Sequence, residues 1–491
     1  EHSKKLKKSL NSAEVIFFKG TIFSLRGFTE VAIENYKRAI EIKPDYAEAF
    51  YRIGVAEKNR DCLDSAIENY KKAIDIKPDY AEAYFNLGHA LELKGDRDIA
   101  IQNFEQALGL KPNYVEALIL IGYTFWVSGD CSSAIANYKR AIEIKPDCAE
   151  THMNLGGAYK DIGDFDAASE FYQRALKIKP DYALAHWNQS LTYLAKEEFQ
   201  KGWIGYEWRW KAIEGIGEYL STNIPAWRFV KGQRVLLWAE QGIGDEVMFG
   251  SIIPDLYALC SKLIVQLDER LIPLFSRSFP SDIEFKPRSE TISQTDYDAH
   301  IPMGSLPQHF RQTTGSFKFA SQGWLTASEE KASSLKKQLL NGGDETLIGI
   351  SWHSTKPRLG AESKVITLTQ LAKTLHTPKT KLVNLQYGDV SGELELLSKE
   401  HGIEIIQLSE IDTNKDLDGL AALIMACDRV VSISNFTIHL AGALGKEAHV
   451  LLAFSSDWRW GRRSHSSYWY DSVRLHRQTK INDWDSVLEK L

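Results

Sequence analysis

The chain has 491 residues, of which 44% are hydrophobic and 25% charged. This composition is typical of a folded globular protein and excludes disorder or collagen as a description of the whole chain. At roughly 150 residues per domain, the length predicts two to four domains. The net charge of −6 argues against a nucleic-acid partner, because binding to a phosphate backbone needs a basic stripe. The longest apolar stretch, Ala117 to Val127, is shorter than the ~18 residues that a membrane span needs, so we predict no membrane span.

The cysteines are scattered and never form a C-x-x-C pair; they are Cys62, Cys131, Cys148, Cys260 and Cys427. This pattern suits a reducing compartment, carries no zinc signature, and is simplest to interpret as small buried apolar side chains. No signal peptide is visible, although the chain begins with Glu1 rather than Met. We therefore predict a cytoplasmic protein without a metal site.

Internal repetition dominates the first half of the chain. Prolines recur every 34 residues, at Pro44, Pro78, Pro112, Pro146 and Pro180. The same step relates a set of glycines, a set of aromatic residues and two sets of alanines. The glycines are Gly20, Gly54, Gly88, Gly122 and Gly156, and the aromatic residues are Tyr36, Tyr70, Phe104, Tyr138 and Tyr172. Small residues let two helices approach closely, rings fill the gap between units, and proline ends the second helix.

This period predicts helix–turn–helix units that stack into a superhelix, because no single unit can bury its apolar face alone. The pattern resembles the tetratricopeptide repeat (TPR) over residues 10 to 200, with a degenerate sixth unit from Asp181. A TPR array usually presents a concave groove to a peptide or protein. We therefore expect a protein partner in the first half of the chain.

Asparagines recur at the repeat position two residues before the glycine, at Asn86, Asn154 and Asn188. This position resembles the asparagine ladder of O-linked N-acetylglucosamine transferase, which holds the backbone of its protein substrate. A carboxamide both donates and accepts, so it binds peptide groups without reading side chains. We interpret the three as an acceptor groove; the alternative is that they are solvated polar residues on helices.

The repeat ends in GWIGYEWRW (Gly202 to Trp210), which we interpret as a buried joint between the solenoid and the next domain. After Pro225, apolar runs of β type alternate with helical stretches, the pattern of parallel sheets covered by helices. The predicted strands are 234–240, 262–268, 299–303, 347–353, 381–387, 403–409, 429–434 and 449–454. A break at Asn341 to Asp344 predicts two Rossmann-like halves that face a cleft. The predicted domains are 1–200, 201–228, 229–343 and 344–491.

The stretch EQGIGD (Glu240 to Asp245) directly follows a strand. Gly242 and Gly244 permit a tight turn and the close approach of a ligand. The stretch has neither a dinucleotide fingerprint nor the lysine of a P-loop. Asp245 then begins a helix, where it is either a functional carboxylate or simply the N-cap.

The stretch SISNFTIHLAGALG (Ser432 to Gly445) reads as strand, turn and helix. Thr437, Ile438 and His439 fall near the helix start, where free N–H groups and the helix dipole favour an anion such as a diphosphate, without any metal. His439 would add a hydrogen bond or a positive charge; alternatively it is a structural histidine.

Three further stretches carry polar groups beside strands. GISWHSTKPRLGAESK (Gly349 to Lys364) supplies basic side chains that either meet phosphate or remain solvated. LQYGD supplies Gln386, whose amide would read a nucleobase edge. SDWRWGRRSHSSYWY (Ser456 to Tyr470) would either cover a sugar or pack the C-terminal region. The basic side chains are Lys356, Arg358 and Lys364.

The motifs EQGIGD, SLP (Ser305 to Pro307), GISWH, LQYGD, HLAGALG and DWRW occur here in the order found in bacterial TPR-linked glycosyltransferases, some of which modify flagellin. The C-terminal half also resembles the lipopolysaccharide heptosyltransferases, which have the GT-B fold. The resemblance implies that Asp245 is the catalytic base and that His439 and Lys364 lie at the donor diphosphate. The family commonly has Asp-Thr where this chain has Ser434 and Asn435.

These observations predict a TPR superhelix followed by an α/β GT-B glycosyltransferase. It would move a sugar from a nucleotide-activated donor to a Ser or Thr hydroxyl of a protein, with inversion and without a metal or other cofactor. Flagellin is a candidate acceptor. The predicted donor site comprises Gln241, Trp352, Lys364, Gln386, Asn435, Thr437, Ile438 and His439. The alternatives are a non-catalytic TPR scaffold with a degenerate transferase domain, and an enzyme that glycosylates a glycan or lipid.

Overall fold

A computed structural model describes residues 12–213, 219–317, 323–354, 366–462 and 465–491. The chain divides into two compact units between Ala158 and Tyr159. The predicted domain borders after residues 200, 228 and 343 remain predictions.

The first unit is a run of helices joined by short turns. Its helices are α1 (Ala13–Leu25), α2 (Thr29–Ile42), α3 (Ala47–Lys58), α4 (Leu63–Ile76), α5 (Ala81–Lys94), α6 (Arg97–Leu110), α7 (Val115–Val127), α8 (Cys131–Ile144) and α9 (Ala149–Asp161), the last of which continues past the division. The repeat prolines explain where every second helix ends. Lys43 and Lys77 each precede a proline and have left the helical region, with φ of −133° and −131°, because a proline disfavours helical backbone in the residue before it.

The repeat glycines lie where an aromatic ring of the next helix crosses. A methyl group placed on Gly54 would lie 2.6 Å from Cε1 of Tyr70, and one on Gly88 would lie 2.8 Å from the ring of Phe104. Both rings are fully buried. Glycine is therefore required at this position for the two helices to close around the ring. The close approach of the helices was predicted from the small residues, but the ring lies between the two helices of one unit and not in the predicted gap between units.

The second unit begins with helices α10 (Phe165–Ile178), α11 (Ala183–Ala195), α12 (Phe199–Tyr206) and α13 (Arg209–Ala212). Two α/β segments follow, with ten strands in the described residues. The first segment contains β1 (Arg234–Trp238), α14 (Ile243–Gly250), α15 (Ile253–Tyr257), β2 (Lys262–Leu267), α16 (Ile272–Ser278), β3 (Glu284–Pro287), β4 (Ala299–Pro302) and α17 (Pro307–Phe310). The second contains α18 (Glu329–Leu340), β5 (Thr346–Ser351), α19 (Leu368–Leu375), β6 (Thr380–Asn384), α20 (Ser391–His401), β7 (Ile405–Ile406), α21 (Leu417–Ala426), β8 (Arg429–Ile433), α22 (Phe436–Ala443), β9 (Ala448–Leu452), β10 (Val473–Arg477) and α23 (Asp485–Leu488).

The strands form two sheets whose described pairings are all parallel. The first has the order β3-β2-β1-β4, and the second has the order β10-β9-β8-β5-β6-β7. In each sheet the chain moves outward through three strands and then returns to the other side of its first strand. The second sheet thus has the doubly wound order, with its topological switch point between β5 and β8. The first sheet has the same change of direction between β1 and β4.

All eight predicted strands are present, while β3 and β10 were not predicted. β3 has the sequence EFKP and β10 has the sequence VRLHR. Both lie at the edge of a sheet, where one side of the strand is open and charged residues are tolerated. Neither sequence therefore shows the continuous apolar run that marks a central parallel strand.

The aromatic segment Gly202 to Trp210 packs into the second unit. Trp203 and Tyr206 are 1% exposed, and the indole N–H of Trp203 donates to the carbonyl of Arg311 at 2.7 Å. The Trp203 ring also meets the edge of Trp458 at 5.3 Å between centroids. The segment is therefore buried at Trp203 and Tyr206, although Ile204 is exposed, and it contacts both α/β segments. Its role as a joint between domains stays a prediction.

Candidate functional site

The turn that follows β1 begins helix α14. Gly242 is the N-cap of this helix, with extended backbone, and its carbonyl accepts the N–H of Asp245 at 2.8 Å. Asp245 is the third residue of the helix. The alternative in which Asp245 is the N-cap is therefore wrong, and its carboxylate remains available for contacts outside its own helix end.

The Asp245 carboxylate forms an ion pair with Arg459, in the loop after β9. Nε of Arg459 lies 2.9 Å from Oδ1 of Asp245, and Nη2 also donates to that oxygen. Nη1 of Arg459 lies 2.7 Å from Oδ1 of Asp457. The side chains of Asp245 and Arg459 are 18% and 13% exposed. The first sheet's turn and the second sheet's loop are thus joined by a charged contact.

The loop that carries Arg459 is also fixed on its far side. The hydroxyl of Ser455 donates to the carbonyl of Lys160 at 2.9 Å, and Nη2 of Arg462 donates to the carbonyl of Gly163 at 2.7 Å. Lys160 lies at the end of α9, and Gly163 lies in the connection between α9 and α10. The segment 455–462 therefore spans from these two carbonyls to Asp245.

His439 lies in the first half of α22, beside the turn. A methyl group on Gly244 would be 3.4 Å from Cδ2 of His439, so the turn lies against the imidazole edge. Nδ1 of His439 is 2.8 Å from the hydroxyl of Tyr470, and the ring stacks on Trp460 at 5.1 Å between centroids. Burial, helped by the positive charge of Arg459, lowers the pKa of His439 to about 4. The ring is neutral near pH 7, so it offers hydrogen bonds and not the positive charge considered above.

The side chain of Asn435 ties together the ends of two strands at the switch point of the second sheet. Its Nδ2 donates to Oγ of Ser351 at 2.7 Å and to the carbonyl of His353 at 3.3 Å. Its Oδ1 accepts from Oγ of Ser432 at 3.0 Å. Asn435 is the N-cap of α22, yet its side chain makes no cap hydrogen bond. The amide therefore fixes the strand ends and leaves the first N–H groups of the helix to another partner.

Thr437 and Ile438 are fully buried in α22. The hydroxyl of Thr437 donates to the carbonyl of Leu385 at 3.3 Å, which joins the helix start to the end of β6. What these two residues can offer to a ligand is therefore their backbone N–H groups rather than their side chains.

Gln386 and Trp352 are both 1% exposed. Oε1 of Gln386 accepts the hydroxyl of Ser351 and the N–H groups of Trp352 and His353, at 2.9 to 3.0 Å. Its Nε2 donates to the carbonyl of Tyr387 at 3.1 Å. The indole N–H of Trp352 donates to Glu393 at 2.8 Å. These contacts commit the Gln386 amide to the protein itself, contrary to the expectation that it is free to read a nucleobase edge.

Gln241 belongs to a buried polar network beneath the turn. Its Oε1 accepts the hydroxyl of Tyr206 at 2.8 Å, and its Nε2 donates to Glu240 at 3.1 Å. Oε1 of Glu240 also accepts from Nε of Arg209 at 3.2 Å and from the N–H of Gly304 at 3.1 Å. Tyr206 and Arg209 of the aromatic segment thus contact Gln241 and Glu240, which directly precede the turn that carries Asp245.

The predicted basic residues of the site, Lys356, Arg358 and Lys364, lie outside the described residues. Within the described ranges, no group of three or more His, Cys, Asp or Glu side chains is arranged to hold a metal ion.

The predicted acceptor asparagines have different surroundings. Nδ2 of Asn86 donates to the hydroxyl of Tyr51 at 3.2 Å, and its Oδ1 accepts from Lys58 at 3.3 Å. Tyr51 lines a cavity of about 580 Å³ in the first unit, together with Tyr46, Arg52, Tyr80 and Glu82. Asn154 is 7% exposed and Asn188 is half-buried. Of the three, the first unit places Asn86 beside this cavity, whereas Asn154 is largely covered.

Sequence reasoning missed two arginines that contact the residues of the candidate site, Arg459 and Arg209. Arg459 lies in the DWRW stretch, for which two roles were left open, and nothing in that stretch indicates a partner 214 residues away. Arg209 lies in the aromatic segment, which we had interpreted through its rings alone. A charged residue inside an otherwise aromatic run is the signal that was available, because such a side chain needs a buried partner.

Comparison with known proteins identifies the repeats. The family described as TPR repeat matches residues 20–59, 62–95 and 127–163. The family described as tetratricopeptide repeat matches residues 81–114 and 149–182. The N-terminal region is therefore built of TPR repeats, as predicted, and TPR repeats typically bind peptide partners.

The chain is also similar to Protein FlbA of Caulobacter vibrioides, with 31% identity over 325 residues, which covers 62% of this chain and 53% of FlbA. The chain thus spans about half the length of this curated relative. Among solved structures, MamA is 26% identical over 35% of this chain and 93% of its own, with a TM-score of 0.33. YrrB, described as a TPR protein with an unusual peptide-binding site, is 22% identical over 37% and 94%, with a TM-score of 0.34. No helix among the described residues is both long and apolar enough to cross a membrane.

Proposed function

We propose that this protein is a glycosyltransferase of the two-lobed GT-B type, which moves a sugar from a nucleotide-activated donor to a protein hydroxyl. The observation that carries the proposal is the contact between the turn before Asp245 and the start of α22 at His439. The resemblance assigns these two motifs to the base and to the donor diphosphate. They lie almost two hundred residues apart in the sequence, so local structure alone does not bring them together.

The sheet topology supports the same proposal. Ligands of doubly wound sheets bind outside the carboxyl ends of the strands, at the switch point. Asn435 follows β8, and Trp352 and His353 follow β5, at the switch point of the second sheet. Glu240 follows β1 at the change of direction in the first sheet. Each α/β segment therefore presents its motifs at the edge where such a fold binds ligands.

The proposed reaction is a single displacement. The acceptor hydroxyl oxygen forms a bond to the anomeric carbon while the bond from that carbon to the donor phosphate oxygen breaks. Asp245 takes the hydroxyl proton, and the nucleotide leaves with the bonding electron pair as its diphosphate. The N–H groups at the start of α22 and the neutral imidazole of His439 stabilise the departing charge. Because the nucleophile attacks opposite the leaving group, the anomeric configuration inverts.

The TPR repeats supply the proposed docking surface for the acceptor protein. The cavity beside Asn86 contains tyrosines together with charged side chains of both signs, a lining that suits a peptide with polar and aromatic residues. The resemblance to flagellin-modifying TPR glycosyltransferases makes flagellin the first acceptor to test.

The test is the Asp245→Asn variant, incubated with acceptor protein and a panel of nucleotide sugars, with transfer read by intact-protein mass. We expect transfer to fall by at least about 100-fold, since a missing general base costs that much, while nucleotide binding persists. Asp298→Asn is the matched control, because Asp298 pairs with Arg234 on an exposed surface. Full transfer by Asp245→Asn would remove the base assignment.

One observation favours a non-catalytic scaffold instead. Ser434, which stands where the family has an acidic residue, accepts the indole N–H of Trp460 at 2.8 Å, so this position is used for packing. A scaffold would not respond to nucleotides, whereas a ligand that binds the folded state raises its melting temperature. A thermal-shift panel of nucleoside diphosphates therefore separates the two functions: a flat response to every nucleotide supports the scaffold.

A further inference from the structure

In the Asp245–Arg459–Asp457 cluster, the guanidinium of Arg459 is shared between two carboxylates. The three side chains are 13 to 18% exposed. Nε and Nη2 of Arg459 converge on a single oxygen of Asp245. Two donors on one oxygen make poor use of the guanidinium fork, which matches two oxygens of a carboxylate or phosphate.

The position of the guanidinium suits an anionic ligand. Its carbon lies 4.5 Å from the centre of the Trp458 ring, which holds the fork flat. The neighbouring imidazole of His439 is neutral near pH 7, so Arg459 brings positive charge to the start of α22. Asp245 directly follows Gly244, where an added methyl group would lie 3.4 Å from Cδ2 of His439, so the ion pair begins at the turn that lies beside α22.

We infer that Arg459 is the residue that receives a diphosphate ligand at this site, and that the carboxylate of Asp245 occupies the guanidinium until that ligand arrives. The diphosphate takes the fork with two oxygens and displaces Asp245. The freed carboxylate then faces the ligand as a proton acceptor. This inference rests on the proposed function in one respect, namely that the diphosphate belongs to a nucleotide sugar. The competition between two anions for one arginine does not depend on sugar transfer.

Competition predicts that pyrophosphate affinity changes in opposite directions when Asp245 and Arg459 are replaced. Inorganic pyrophosphate is titrated into the wild-type protein and into variants by calorimetry at one ionic strength. Asp245→Asn removes the competing carboxylate, so this variant binds pyrophosphate at least about fivefold more tightly than the wild type. Arg459→Met removes the cation, so it binds pyrophosphate at least about tenfold more weakly, as expected for the loss of a close charge pair. The double variant gains nothing over Arg459→Met, because the competition needs both partners.

The matched control is Asp418→Asn, which removes the same charge from a similar arginine pair, with Arg277, away from this site. It leaves pyrophosphate affinity unchanged. If Asp245→Asn binds no more tightly than Asp418→Asn, or if Arg459→Met binds as well as the wild type, the inference is overturned. Should Arg459→Met fail to fold, Arg459→Lys replaces it: lysine keeps the charge but lacks the fork, so affinity falls several-fold, and an unchanged affinity overturns the inference.

A second arm uses nucleoside diphosphates in place of pyrophosphate. If one nucleoside diphosphate binds more tightly than pyrophosphate, and its affinity rises in Asp245→Asn and falls in Arg459→Met, the result supports both the inference and the origin of the diphosphate in a nucleotide sugar. If pyrophosphate alone shows these shifts, the inference stands and the glycosyltransferase proposal fails.

Discussion

The hydroxyl of Tyr206 donates a 2.8 Å hydrogen bond to Oε1 of Gln241, and through it helix α12 contacts the turn that presents Asp245. Three residues further along the chain, Arg209 is fully buried and pairs with Glu240 at the other end of the same network. The aromatic segment therefore supports the candidate site directly, in addition to filling space.

Replacing Arg209 by methionine should destabilise the second unit strongly. The Arg209 side chain has no exposed surface and that of Glu240 is 1% exposed, so the substitution leaves a buried carboxylate without its cation. We expect the free energy of unfolding in urea to fall by about 3–5 kcal/mol. The Arg209→Met/Glu240→Gln double variant should recover part of this loss. A single variant within about 1 kcal/mol of the wild type would show that the pair contributes little.

The stability of the second unit should fall on acidification, in part because of His439. Burial lowers its folded pKa to about 4 from an ordinary value of 6.5. Below pH 6.5 the unfolded chain therefore binds a proton that the folded protein does not, so this contribution is complete above pH 6.5 and is lost as the pH falls towards 4. The loss amounts to up to about 3 kcal/mol. His439→Gln should flatten this part of the stability profile measured by urea unfolding, whereas substitution of the exposed His401 should not; an equal slope in both variants would contradict the assignment.

The repeat glycines should respond to alanine in the opposite way from a glycine on an open helix face. In Gly54→Ala the new methyl group would press on the buried ring of Tyr70, and we expect a loss of about 1–3 kcal/mol. Gly109 is the matched control: it lies within helix α6, and a methyl group there meets nothing within 4 Å. Gly109→Ala should stabilise the protein by about 0.5–1 kcal/mol, because alanine is the better helix former. Thermal unfolding of both variants checks the difference in sign.

The sequence was most informative where structure is determined locally. The 34-residue period of the glycine and aromatic positions predicted the helix–turn–helix repeat, because each unit carries the whole pattern within a short stretch of sequence. Central strands such as β5 were predicted for a similar reason. An apolar run long enough to be buried on both faces can be recognised from its own sequence, without knowledge of the strands beside it.

What the sequence could not predict depends on residues far apart in the chain. The pairing of Asp245 with Arg459 joins an element after β1 to a loop after β9, and no periodicity connects them. The neutral state of His439 follows from burial against Trp460 and Tyr470, which a lone histidine in a helix does not reveal. Gln386 was assigned to a ligand because of its chemistry, but its surroundings already use both ends of its amide.

The hydrogen bonds of Ser455 and Arg462 tie the segment 455–462 to the end of α9 and to the connection between α9 and α10. The segment 455–462 is held at the carbonyls of Lys160 and Gly163 at one extreme and at Asp245 at the other. A residue inserted into the α9–α10 connection would shift the carbonyl that Arg462 binds. It would thereby displace the segment 455–462 and the Arg459 guanidinium that contacts the Asp245 carboxylate. The length of this connection therefore bears on the geometry at Asp245, although the connection itself contributes no group to the candidate site.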